Sequence, residues 1–164
     1  MTSLYIHIPF CRNKCYFCSF VVAVGKENRI DQYLDRLKEE AKFYQGTSIE
    51  TIYVGGGTPT FINSDQWERL IQMIRDHFIF SDDCEFTVEA NPEDMDLKKA
   101  KSLKKTRVNR VSLGVQSLNE RYLKFLGRSH DRKKALAAFH CLREAGFSNI
   151  NLDLMFSFPG QTTK

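Results

Sequence analysis

Three cysteines within eight residues, Cys11, Cys15 and Cys18, constrain this chain more than any other feature. Spacings of four and three let one loop curl until all three thiols converge on a single metal centre. Thiolates ligate zinc, copper(I) and iron–sulfur clusters. A closed structural zinc site takes four protein ligands, usually as two Cys/His pairs, and no second pair with that spacing follows. Cys84 and Cys141 stand alone and read as buried thiols. Three thiolates therefore suggest a [4Fe–4S] cluster with one iron open to an external ligand. Zinc completed by His7 or a distant cysteine stays open as the alternative. His7 itself reads as a hydrogen-bonding neighbour of the ligands, and His77, His130 and His140 as residues without a chemical role.

A second feature is Gly55-Gly56-Gly57-Thr58-Pro59-Thr60, directly after the apolar stretch Thr51 to Val54. Consecutive glycines let backbone approach a ligand closely and present free N–H groups, so a side chain at Gly56 or Gly57 is expected to collide with that ligand. Together, the glycines and the Cys-x3-Cys-x2-Cys spacing resemble the radical S-adenosylmethionine (SAM) superfamily. The flanking segment Tyr5-Ile6-His7-Ile8-Pro9-Phe10-Cys11 is similar to one branch, which holds the oxygen-independent coproporphyrinogen III dehydrogenases (oxidases) and the haem chaperones. The resemblance runs from Tyr5 to Thr162.

The resemblance implies that Cys11, Cys15 and Cys18 ligate three irons while the methionyl end of SAM chelates the fourth. One electron then cleaves the sulfonium and yields a 5′-deoxyadenosyl radical. It further implies that Tyr5, Gly56, Gly57 and Thr58 contact SAM, that Phe17 packs over the adenine or cluster, and that Glu89 faces the ribose. Gln116, Arg128 and Asp153 match positions that surround a second SAM in the dehydrogenases. Without the resemblance, Glu89 and Asp153 would read as strand-end charges paired with Arg110 or Arg128, and Gln116 as a turn cap.

The chain of 164 residues has the length of one domain, with ordinary hydrophobic (42%) and charged (27%) fractions. No apolar run approaches the ~20 residues that span a bilayer. No charged leader precedes an apolar segment, and clustered thiols do not resemble a disulfide framework, so a reducing cytoplasm is expected. The net charge of +4 comes densest from Lys98 to Arg110, which reads as the solvated face of a short helix. Without interleaved aromatics it gives no sign of nucleic-acid binding.

Hydrophobic periodicity predicts strands at Leu4–Ile8, Ile49–Val54, Glu85–Ala90, Arg110–Val115 and Ile150–Met155. Helical segments fall between them: Ile30 onward to a stop at Gly46, a unit capped by Asn63, Asp96–Lys104, Glu120–Leu126, and Arg132–Ala145. Such α/β alternation means parallel strands with right-handed crossovers, in either an open doubly wound sheet or a barrel. The resemblance implies a (βα)6 partial barrel, an incomplete TIM-type fold. On that reading residues 1–164 form the N-terminal part of a radical SAM core, truncated after strand five. A sixth βα unit and a C-terminal domain would lie outside it, and the last strand would expose an unpaired edge.

Within the branch, two features favour the haem-chaperone type. Tyr5 sits almost at the start, where dehydrogenases carry an extension, and Phe20 stands where they have a further cysteine. The expected partners are haem or a porphyrinogen, an electron donor such as flavodoxin or ferredoxin, and haem-receiving respiratory proteins. Coproporphyrinogen III oxidation is the alternative, with RNA modification behind it. Ser157 in Phe156-Ser157-Phe158-Pro159-Gly160 departs from the usual Gly-Leu-Pro-Gly.

Overall fold

The computed structural model describes residues 2–162; Met1, Thr163 and Lys164, and with them the end of the closing segment, lie outside the described residues. Its main sheet has five parallel strands: β1 (Ser3–Ile8), β4 (Thr47–Gly56), β5 (Phe78–Ala90), β6 (Arg110–Gln116) and β7 (Asn149–Leu154). Two short strands, β2 (Phe10–Cys11) and β3 (Ala23–Val24), pair separately in parallel. Helices α1 (Ile30–Ala41), α2 (Ser64–His77), α3 (Leu97–Lys104), α4 (Glu120–Phe125) and α5 (Arg132–Glu144) complete the alternation.

Strand order separates the two architectures that periodicity leaves open. The strands of the main sheet lie side by side in sequence order, with no reversal. A doubly wound sheet reverses at its switch point. Right-handed crossovers that always step the same way put every helix on one face, as in a barrel wall.

The pairing register lines up an apolar row, Ile6–Val54–Val88–Val111–Ile150, across the whole sheet on the helix side. Except for half-buried Ile150, these residues are almost wholly buried with Trp67, Leu70 and Ile74 of α2 and Leu142 of α5. Alternation then puts the polar positions on the other face. The row Tyr5–Tyr53–Thr87–Arg110 is followed, two residues on, by His7 beside Gly55 and by Glu89–Ser112–Asn151. This face is thus polar because its residues alternate with the core, and it carries the chemistry toward the strand C-termini.

Local signals account for most boundaries. Asn63 caps α2 in a reciprocal capping box with Gln66, and Asp96, Asn119 and Asp131 cap α3, α4 and α5. Two boundaries differ from the periodicity. Helix α1 stops at Ala41 and runs into a 3-10 turn over Lys42–Tyr44; Gly46, with φ of 78°, belongs to the turn into β4. Strand β5 begins at Phe78 rather than Glu85, because Phe78–Phe80 pairs with Thr47–Ile49 before a register shift. Lys98, Lys101, Lys104, Lys105 and Arg107 are exposed on or just after α3, as a solvated basic face should be. No helix among the described residues is long and apolar enough to cross a membrane.

Candidate active site

The cysteine loop leaves β1 at Pro9 and is closed at its base where Ala23 N donates to Pro9 O at 2.7 Å and β2 pairs with β3. Side chains and backbone then tie it to distant elements. Asn13 Nδ2 donates to Gly127 O at 3.0 Å, and Tyr16 N donates to Leu126 O at 3.0 Å. Arg12 pairs with Asp94 at 2.7 Å. Burial pushes the Asp94 carboxyl up despite that partner, and its Oδ2 has no hydrogen bond.

Cys11, Cys15 and Cys18 line one cleft with Phe17, Phe20, Gly56, Gly57, Thr58, Glu89, Gln116, Arg128 and Asp153. The structure therefore gathers nearly all the residues singled out in the sequence. Cys11 is buried, and burial pushes its thiol up while Thr58 and Arg128 pull it down and Cys15 and Cys18 oppose its ionisation. Three thiols lining one cleft suit a cluster, whose irons are separate ligand points. Zinc would draw its ligands to about 2.3 Å of one point. Among the described residues no three His, Cys, Asp or Glu side chains, the three cysteines included, are gathered around one such point. His7 faces elsewhere: its Nδ1 meets Tyr5 Oη at 3.1 Å and its Nε2 meets Val21 O at 3.1 Å.

The glycine turn corrects one expectation. Its N–H groups are not free for a ligand: Gly56 N donates to Glu89 Oε2 (2.9 Å), Gly57 N to Ile8 O (2.8 Å) and Thr58 N to Phe10 O (2.9 Å). A Cβ on Gly57 would sit 2.7 Å from the Pro9 carbonyl, and one on Gly56 would sit 2.5 Å from the His7 ring. The turn needs glycine because it packs against the entrance of the cysteine loop, and Gly56 also adopts φ of 111°.

Glu89 accepts from Tyr53 Oη (2.8 Å) as well as from Gly56 N. Burial, then Glu89 itself, raise the Tyr53 phenol, which keeps it a donor. Asp153 accepts from Ser112 Oγ at 3.1 Å and Asn151 Nδ2 at 2.7 Å. Among the described residues neither acid is paired with an arginine, so the strand-end ion pairs considered from sequence do not form. Gln116 holds φ of 63°, a strained conformation for a side-chain-bearing residue, at the irregular end of β6. Tyr5 is not in the cleft wall; it stacks on Tyr53 at 6.1 Å, one residue removed from Glu89.

Sequence reading missed a buried polar group behind Arg128. Arg128 Nη2 donates to Asn91 Oδ1 (2.7 Å) and Gly114 O (2.9 Å), and Nη1 to Cys15 Sγ (3.4 Å). Glu93 lies 3.6 Å from Arg128 and 3.2 Å from His130 Nδ1, and accepts from Ser129 Oγ at 2.7 Å. Burial raises the Glu93 carboxyl, but His130, Arg128 and Ser129 outweigh it and bring it down to about 2. His130 is thus buried structural wiring; only its neighbour Arg128 hinted at it. Cys84 is buried as expected, whereas Cys141 is half-buried.

Against known proteins, the Radical SAM superfamily profile matches residues 5–164. The chain is 44% identical to the heme chaperone HemW of Bacillus subtilis over 100% of its own length and 45% of that protein. It is 36% identical to the oxygen-independent coproporphyrinogen III oxidase of Escherichia coli, over 98% and 36% of the two chains. The solved Escherichia coli coproporphyrinogen III oxidase, HemN, described as a radical SAM enzyme, superposes with a TM-score of 0.89 at 37% identity, over 98% of this chain and 38% of that one. The chain therefore spans less than half the length of these relatives.

Proposed function

The chain belongs to the radical S-adenosylmethionine superfamily, and from that premise we propose that it carries a [4Fe–4S] cluster and SAM in this cleft and serves as a haem chaperone. The observation that carries the cofactor reading is the convergence of Cys11, Cys15 and Cys18 with Gly56, Glu89 and Asp153 on one cavity. The chaperone reading is supported by identities of 44% and 42% to the HemW proteins of Bacillus subtilis and Lactococcus lactis; within Escherichia coli alone, HemW (35%) and the oxidase (36%) are equally similar. It is also supported by Phe20, an apolar group in the cleft wall where the dehydrogenases have a cysteine.

Bound here, the cluster and SAM supply one-electron reductive cleavage of the sulfonium C–S bond. The chain's own residues hold and orient. Cys11, Cys15 and Cys18 provide the three thiolates. Tyr53 and Gly56 N fix the Glu89 carboxylate, whose remaining acceptor sites serve ribose hydroxyls. Ser112 and Asn151 fix Asp153 in the same way on the far wall. Phe17 and Phe20 line the mouth and limit water. Haem, an electron donor of the flavodoxin or ferredoxin kind, and haem-receiving proteins are the proposed partners.

The second reading, coproporphyrinogen III oxidation, is favoured by the TM-score of 0.89 to the oxidase. One experiment separates the two. Reconstituted protein is incubated anaerobically with SAM, a one-electron reductant and coproporphyrinogen III, and haem binding is titrated in parallel. Haem binding with slow 5′-deoxyadenosine release and no protoporphyrinogen is the expected result. Sustained decarboxylation would overturn the chaperone reading in favour of the enzyme.

A further inference from the structure

We propose that Asn91 is a positioning residue that aims hydrogen-bond donors at two of the three cluster thiolates, and that this donor set raises the cluster's reduction potential. The inference rests on the cofactor reading above and concerns what this chain does to that cofactor. A continuous path joins the two sulfurs. Arg128 Nη1 donates to Cys15 Sγ at 3.4 Å, and Arg128 Nη2 to Asn91 Oδ1 at 2.7 Å. Asn91 Nδ2 donates to Thr58 Oγ1 at 2.8 Å, which lies 3.3 Å from Cys11 Sγ.

Chemistry fixes the direction of every link once Cys11 is a thiolate, which can only accept. A guanidinium has donors only, so the amide must turn its oxygen to Arg128 and its NH2 to Thr58. The Thr58 oxygen then accepts, and its single proton is left for the Cys11 sulfur. Asn91 thereby sets the polarity at one thiolate and the position of the guanidinium at the other. The fold leaves room for this: a Cβ on Gly114 would come 3.0 Å from Asn91 Oδ1. Thr58 is 2% exposed, so water does not compete with its bond.

A reduced cluster carries one more negative charge than its oxidised form. Donors on its sulfurs and a fixed cation beside them favour that state, which moves the potential up. Removing them should move it down without necessarily removing the cluster.

The test is an EPR-monitored redox titration of the reconstituted protein, with iron measured on each sample. Thr58→Val keeps the shape and deletes the proton, and should lower the potential, while Thr58→Ser should restore it. Asn91→Leu should shift the one-electron equilibrium at least tenfold, which is 59 mV. Asn91→Asp should also lower it, because a carboxylate accepts from both neighbours and turns the Thr58 proton away from Cys11. Iron-replete Thr58→Val and Asn91→Leu proteins at the wild-type potential would overturn the proposal and leave Asn91 a brace. If Asn91→Leu does not fold, Thr58→Val against Thr58→Ser decides. Wild-type protein that takes up no iron would overturn the cofactor reading itself, and this proposal with it.

Discussion

The cysteine loop and strand β7 face each other across one cleft and are held very differently. The loop is fastened by Arg12 to Asp94, by Asn13 to Gly127 and by Tyr16 to Leu126, and Thr58 and Arg128 reach its sulfurs. Strand β7 lies at the edge of the sheet; Leu152 and Leu154 are exposed on it and Phe156 just beyond it, and Ser112 is the cross-strand anchor of Asp153. Two of the three positive-φ non-glycine residues among the described residues are on this side, Gln116 (φ 63°) and Ser157 (φ 66°); the third, Arg107, follows α3. The difference teaches which side of the cleft is fixed in advance. Groups that would act on the cofactor are preorganised, which is what electrostatic control requires. Strand β7, by contrast, pairs on one side only, with β6, among the described residues.

If the loop side is rigid because its pieces interlock, a small intrusion there should be costly. Gly57→Val would push a side chain into the Pro9 backbone, at a cost of about 3 kcal/mol or more. Thermal unfolding and iron uptake should both fall sharply. Full iron loading in this variant would show that the turn and the loop are independent.

Glu93 probes the polar group behind Arg128. Its carboxyl is depressed to about 2 in the folded protein, so its stabilisation is fully present above the ordinary carboxylate value and is lost as pH falls through the folded one. That contribution is on the order of 3 kcal/mol. Glu93→Gln should be less stable at pH 7 and show a flatter loss of stability between about pH 4.5 and pH 2. An unchanged acid-unfolding curve would contradict the ion network.

The edge side should respond weakly. Asp153→Asn keeps the shape and its neighbours, so stability should change by less than about 1 kcal/mol and cluster absorption should stay the same. Loss of the cluster on this substitution would mean that the two walls are coupled. Ser157→Gly should go the other way and stabilise by about 1 kcal/mol, because glycine holds a positive φ without the side-chain penalty. A neutral result in a denaturant titration would show that the turn relaxes.

The same contrast explains what the sequence made legible. Cys11, Cys15, Cys18 and the glycines were readable because their geometry is local: spacing within a loop, or a turn after a strand. Alternation of strands and helices was readable for the same reason. Ser157 was visible only as a departure from the family's usual glycine, and its φ of 66° emerges from the structure. The Thr58–Asn91–Arg128 path was not readable, since it depends on how β4, β5 and the turn after α4 align across the sheet. In sequence, Asn91 beside Pro92 signals only the end of a strand. Tyr53 looked like one more apolar strand residue until register placed it beside Glu89. Strand order, too, emerges only from long-range pairing, and it alone separates a barrel wall from a doubly wound sheet.

The central claim is that three thiols on one loop hold a [4Fe–4S] cluster in the cleft. Anaerobic reconstitution with iron and sulfide, followed by iron analysis and absorption of each cysteine variant, tests it most directly. The account predicts about four irons per chain and a broad absorption bleached by dithionite, the properties of one cluster. Cys11→Ala, Cys15→Ala and Cys18→Ala should each abolish both, and Cys84→Ala and Cys141→Ala should abolish neither. Stoichiometric zinc with no iron uptake, or a cluster that survives loss of any of the three, would contradict it.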